Sequence, residues 1–517
     1  VKRFYEFVYK HRLLFLITFI WATLCQGFLL LNGYVGIDTA DALFTKGQSH
    51  YNVCLGMGRQ WVVFLKFLTG NLIINPYVVG GLTLIFTWIS SIIWSYLIVY
   101  ISKKDDERML SAFSFVLLSS PILTETFYFK VQSTEFAISF ICVGLSLLWT
   151  HIFTEKKKML YLIGAVVMML VYMGTYQSFT PLYIAGAQIC FLFMFWIRGN
   201  AESKGLFKSM WKYVATFACT FLAGFILNQV ITRLFFSGDS YYDNLVHWQT
   251  ESFTSCLYAV VKYIGRTLIS NSKYYSAFCS LLLVILIGLS LGSFIRKRTK
   301  ENFFVLFVTA LLAIAPSYMA IILGGDIVVR TQVTYPFLMA SVAAAVYILV
   351  KEKMLEKVPA ARIFYIIIAI AVFLISYVQM CFALRLSYTD RMRNIADERL
   401  AHDIILEIEK FQNEDRSIPV FFAGAYYTDL NDSCLLGESI GRSMFAWDTE
   451  TEPLGYFSSR RCINYIGLFG YKYNYVEDVT GLYEKCSALP SYPNPGYVSG
   501  ENGVIMVNLG DKKDLNR

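Results

Sequence analysis

The chain has 517 residues, 56% of them hydrophobic and 16% charged, with a mean hydropathy of +0.51. A soluble domain normally carries about 25% charged residues, so this composition excludes one and predicts an integral membrane protein, for which lipid is the apolar solvent. The formal charge of +8 does not indicate a nucleic-acid partner, because the basic residues sit in short clusters between apolar runs.

Lys2, Arg3, Lys10 and Arg12 precede the first apolar run, at 13–32. It is too long for a signal-peptide core and lacks a small-residue cleavage site, so it reads as a retained first spanning helix. Further runs follow at 78–101, 109–123, 133–153, 159–175, 181–198, 213–236, 276–295, 303–323, 333–350 and 363–384. At about 20 residues per crossing, this predicts about eleven spans. Every second connection is basic: Lys103/Lys104/Arg108, Lys156/Lys157/Lys158, Arg198/Lys204/Lys208/Lys212, Arg296/Lys297/Arg298/Lys300 and Lys351/Lys353/Lys357/Arg362. The positive-inside rule then places the N-terminus in the cytoplasm and the C-terminus outside. Arg59–Ile74 is also apolar, but counting it as a span would invert that pattern. It reads as a re-entrant or interfacial helix ended by Asn75-Pro76.

The connections at the other end carry Asp38, Asp41, Glu125, Asp239, Asp243, Glu251 and Asp326. Two of them, at 33–77 and 237–275, have the length of functional loops. After Leu384 the composition changes. Residues 390–412 predict an amphipathic helix, and Ile418–Phe422 and Val504–Leu509 predict strands. The expected architecture is a mainly α polytopic membrane body over 1–386, with a small extracytoplasmic α/β domain over 387–517. Eleven cysteines form no CxxC pair, and most lie in apolar runs; Cys434, Cys462 and Cys486 are placed where two of them can pair outside the cell.

Chemistry-bearing residues collect in the outer connections. Asp38 and Asp41 are three apart and share a face if helical. Two close carboxylates suit a general base or a divalent cation, and Asp38 alone also suits the cap of a helix starting near Thr39. Gly58-Arg59 opens the re-entrant helix, where a planar guanidinium suits phosphate or snorkels to headgroups. Glu125, Tyr128, Lys130 and Gln132 join two spans, with Glu125–Lys130 a possible pair. Tyr176 and Gln177 offer stacking and hydrogen bonds to a sugar, while Tyr172 suits the aromatic belt. Asp326 and Arg330 either pair with each other or give a second phosphate-binding arginine. No phosphate loop, dinucleotide fingerprint or nucleophile elbow is present, so nothing points to a nucleotide. Few ionisable residues lie at mid-membrane depth, which argues against transport.

The sequence resembles the bacterial Gtr type II glucosyltransferases, which glucosylate surface polysaccharides such as O-antigen. The resemblance is carried by Asp38…Asp41 with Gly58-Arg59, then Glu125, Tyr176-Gln177 and Arg330, and by the closing segment Leu489-Pro-Ser-Tyr-Pro493…Gly496-Tyr-Val…Gly503-Val-Ile-Met-Val. It implies a GT-C fold in the bacterial cytoplasmic membrane, an undecaprenyl phosphate-linked glucose donor and a polysaccharide acceptor. It also implies inversion, with a first-loop aspartate as base, Arg59 and Arg330 on the donor phosphate, and Glu125, Tyr128, Lys130, Gln132, Tyr176, Gln177 and Asp326 around sugar or acceptor. No cofactor is implied beyond a possible divalent cation. Where the family pattern has an adjacent acidic pair, two residues separate Asp38 from Asp41, so either is the base. A polysaccharide polymerase or ligase, and a lipid-linked glycan transporter without catalysis, share the same membrane body.

Overall fold

The structure is a computed structural model describing residues 2–198, 205–236, 246–269, 271–353, 361–451 and 453–510. Lys204, Asp239, Asp243 and Lys357 lie outside the described residues. Among the described residues, eight helices are long and apolar enough to cross a membrane, from Arg12–Leu30 to the helix that runs through Tyr365–Ile408. Two bent pairs add Glu107–Leu118 with Pro121–Phe127 (46°) and Lys300–Ala313 with Ala315–Leu323 (49°). Pro121 and Pro316 stand at these breaks, where a proline removes a helical hydrogen bond. Met159–Met173 is a shorter apolar helix. These helices mark the chain as a membrane protein, and each predicted apolar run falls on one of them.

Several of the basic connections meet one another in ion pairs. Lys10 and His11 bond Asp105 at 2.5 and 2.6 Å, Lys104 pairs with Glu352 at 2.7 Å, Lys351 pairs with Asp106, and Arg198 lies 3.6 Å from Glu155. Helices cross closely where glycine permits. A Cβ on Gly80, in Pro76–Ser102, would lie 1.8 Å from the Leu30 carbonyl oxygen, whereas one on Gly81 meets nothing within 4 Å. Gly80→Ala is therefore expected to lower stability by roughly 1–3 kcal/mol through overpacking, with Gly81→Ala as the neutral control. Equal melting temperatures in detergent would contradict this packing.

Arg59–Ile74 is broken into a short helix, Gln60–Leu68, followed by an irregular stretch. At about 1.5 Å per residue, such a helix is far too short to span. The C-terminal sheet has the order β1-β3-β2, with β1 Val420–Ala423 parallel and β2 Val498–Glu501 antiparallel to β3 Val504–Asn508. Its core joins Val420, Phe422, Ile505 and Val507 to Leu400, Ile404 and Ile408. Val35, Ile37 and Ala40 of the first loop belong to the same core.

Residues 390–408 are helical, within Ala361–Ile408, a single 48-residue helix that runs across 386/387. One expectation needs correction. Cys434, Cys462 and Cys486 do not pair, since all eleven cysteines are free thiols.

Candidate functional site

The first loop folds into Ile37–Phe44, with Gly36 in the capping position. A Cβ on Gly36 would lie 2.8 Å from the Tyr128 ring, so glycine lets the loop close onto the neighbouring connection. Ile37 and Ala40 are buried in the sheet core, which leaves Asp38 and Asp41 on another face. Asp38 lies inside the first turn and does not cap the helix. Its Oδ1 is 3.2 Å from Arg461, a side chain shared with Asp448 at 3.0 Å. Burial works against the Arg461 charge, and the carboxylates of Asp38, Asp448 and Asp41 outweigh it and raise the pKa. Asp41 accepts a hydrogen bond from Asn464 Nδ2. The Asp38 side chain is 38% exposed, so solvent and ligands reach this face.

Arg59 precedes Gln60–Leu68 and lies 4.5 Å over the Tyr176 ring. The Trp61 N–H donates to the Gly174 carbonyl at 3.0 Å, which seats this helix on the Tyr172–Tyr176 connection. Beneath it Lys66 Nζ donates to both carboxylate oxygens of Glu135 at 3.2 Å, with both side chains fully buried. Burial, then the Lys66 and Arg59 cations, hold the His50 pKa down to about 3, so His50 is neutral. Burial pushes the neighbouring Cys54 thiol up to about 11; Arg59 and Lys66 pull against it, and Glu135 and Asp38 add to it. Asp38, Arg59 and Lys66 thus share one electrostatic neighbourhood.

The connection at 125–132 ties this group to Arg330. Val131 N donates to Thr39 Oγ1 at 3.1 Å, and Lys130 Nζ donates to the Asn32 carbonyl at 2.6 Å and to Asn32 Oδ1 at 2.9 Å. Arg330 lies 4.3 Å over the Phe129 ring, and its carbonyl accepts from Thr126. Glu125 is fully buried and does not pair with Lys130. It accepts from Tyr274 Oη at 2.7 Å, Ile440 N at 3.2 Å and Ser439 N. Asp326 pairs with Arg266 through two bonds of 2.9 and 2.5 Å, not with Arg330. A cleft of about 370 Å³ opens between that ion pair, Ser272, Tyr275 and Glu438. Burial, and then the Glu125 carboxylate, push the Glu438 pKa up, against the Val329 N–H and the Arg330 and Arg266 cations. Tyr128 is buried with an unpartnered hydroxyl, while Gln132 and Gln177 are half-buried.

Sequence reasoning missed Lys66 and Glu135, although each is an ionisable residue inside an apolar run, which is a signal. It also missed Arg461, Asn464, Tyr274 and Glu438, whose roles arise only through long-range contact. Among the described residues no group of three or more His, Cys, Asp or Glu is placed to hold a metal.

A helical membrane protein with carboxylates and arginines at one end defines the class. The model of the family described as glucosyl transferase GtrII matches residues 27–349. That is more than half of the chain, which therefore belongs to this family of glucosyltransferases, as its sequence motifs indicate. Among curated proteins none matches the chain.

Proposed function

We propose that this chain transfers a hexose, with glucose expected, from a polyprenyl phosphate-sugar to a cell-surface polysaccharide. The reaction takes place on the outer face of the bacterial cytoplasmic membrane, with the N-terminus in the cytoplasm and the C-terminus outside. The observation that carries this reading is a part-exposed first-loop carboxylate, Asp38, at the end of the bundle that also holds Arg59 over the Tyr176 ring, in a chain of the GtrII family. An amphiphilic donor suits such a place, because lipid keeps the tail while the polar end of the bundle reaches the head. The acceptor hydroxyl gives its proton to a first-loop aspartate as its oxygen bonds the anomeric carbon. The bond from that carbon to the phosphate oxygen breaks with its electron pair on the phosphate. The configuration inverts, and Arg59 and Arg330 stabilise the charge gathering on the leaving group. Tyr176 and Gln177 orient the sugar.

The test is transfer of one labelled sugar from undecaprenyl phosphate-glucose to the surface polysaccharide of the source cells by the purified chain in liposomes. The double variant Asp38→Asn/Asp41→Asn is expected to lose about 10²–10⁴-fold, the usual worth of general base catalysis. Full activity in that variant would remove the base assignment. Use of a diphosphate-linked oligosaccharide instead would replace the donor reading with a polymerase or ligase.

A further inference from the structure

The two aspartates do not have equivalent surroundings, and the difference comes from beyond residue 349, where the family match ends. Asp38, Asp41 and Phe44 are spaced by three along Ile37–Phe44, as Arg461, Asn464 and Gly467 are along Tyr456–Gly467. They meet in that order: Asp38 faces Arg461, Asp41 bonds Asn464, and a Cβ on Gly467 would lie 2.2 Å from the Phe44 ring. The helices therefore pack in a fixed register that presents a different partner to each carboxylate.

Asp38 meets a guanidinium. Its carboxylate is engaged in an ion pair with Arg461, a side chain that also holds Asp448. Asp41 meets a neutral amide. Asn464 Nδ2 donates to Asp41 Oδ1, and Asn464 Oδ1 accepts from Tyr475 Oη, which fixes which way the amide points. Asp41 Oδ2 has no hydrogen-bond partner among the described residues. One oxygen is thus held by a neutral amide rather than in an ion pair, with the Arg461 cation acting on Asp41 from farther off, and the other is left for a substrate hydroxyl. Other ionisable groups on packed elements are Arg461, whose charge also acts on Asp41, Arg460 over the Tyr475 ring at 4.7 Å, His50 and Cys54 on Gln48–Gly56, and Lys130 and Glu135 on Lys130–Lys156.

We propose that Asp41 is the base and that Asn464 is its positioning residue, so that the C-terminal segment completes the site. The proposal rests on the glycosyl-transfer reading above. The acceptor proton goes to Asp41 Oδ2 while the acceptor oxygen displaces polyprenyl phosphate from the anomeric carbon. Asp38 and Arg461 remain a charge pair throughout.

The test uses the full chain in liposomes with labelled undecaprenyl phosphate-glucose. Asn464→Ala is expected to lower kcat about tenfold or more, a fraction of a general base's worth, with donor KM unchanged. Asn464→Asp places a like charge beside Asp41 and is expected to move the acid limb of the pH–rate profile up by about one unit. An unmoved limb in a folded Asn464→Asp protein overturns the proposal. Asp41→Asn against Asp38→Asn decides it independently of both. A deeper loss in Asp41→Asn supports the assignment, while the reverse order or equal losses overturn it and leave glycosyl transfer standing. No transfer by the unaltered chain overturns the glycosyl-transfer reading itself.

Discussion

Arg393→Met is expected to destabilise the protein by about 3–5 kcal/mol, the usual cost of removing one partner from a buried ion pair. Arg393 is fully buried on the Ala361–Ile408 helix. Its guanidinium bonds Asp390 at 2.5 Å, lies 3.5 Å from Asp397 and donates to the Val35 carbonyl at 3.0 Å. Asp397 in turn accepts from Ser443 Oγ at 2.6 Å and Met444 N at 2.9 Å. One side chain thus links the long helix, the start of the first loop and the C-terminal segment. Methionine fills much of the volume but leaves two buried carboxylates without a counter-charge. The change is read as a lower melting temperature in detergent. The triple variant Asp390→Asn/Arg393→Met/Asp397→Asn removes those charges and is expected to recover most of the loss. A loss under about 1 kcal/mol in Arg393→Met would place the group in contact with solvent, where ion pairs are worth that little. Sugar transfer is expected to fall with stability, since Val35 immediately precedes the Gly36 cap of the Asp38–Asp41 helix.

The sequence discloses parts of this architecture to different degrees, for physical reasons. Spanning helices are legible because a bilayer demands about 20 apolar residues per crossing. The start of Pro76–Ser102 is legible because Asn75-Pro76 is a helix-start signal, with Asn75 accepting from the Tyr77 and Val78 amides, whereas the end of the short helix after Arg59 at Leu68, ahead of that signal, is not. The long last helix is less so. The apolar pattern changes from all-round to one-sided after Leu384 and imitates a boundary, yet no Gly or Pro interrupts 361–408. Strand β2, Val-Ser-Gly-Glu, has no apolar run and exists through its pairing with β3. Asp38, Asp41 and Arg59 stand out because charged residues beside apolar runs are conspicuous. Their partners do not, because Asn464 reaches Asp41 across 423 residues and Arg393 reaches Val35 across 358. Only the matching three-residue spacing of Arg461 and Asn464 hints at the pairing.

Glu125→Ala is expected to release the segment around Gly437–Ile440 from the membrane body. The carboxylate holds Tyr274 Oη, Ser439 N and Ile440 N, and a Cβ on Gly437 would sit 2.4 Å from Glu125 Oε2, so the loop closes directly on it. Neighbouring contacts depend on that closure: Glu438 Oε2 accepts from Val329 N at 2.8 Å, Glu438 N donates to Tyr274 Oη at 3.0 Å, and Lys273 donates to the Leu436 carbonyl. Removing the carboxylate strands three buried donors. Hydrogen bonds to a charged group are worth about 1.5–3 kcal/mol each, so a local loss of about 3 kcal/mol or more is expected. The readouts are faster hydrogen exchange at the Ser439 and Ile440 amides and tryptic cleavage at Arg442. Glu125→Gln keeps one acceptor oxygen and is expected to fall between the two. Because Val329 precedes Arg330, the Ala variant is also expected to displace Arg330 and weaken use of the phosphate donor. Unchanged exchange at Ser439 and Ile440 would mean that the loop is held by its other contacts, and that Glu125 is free for a ligand.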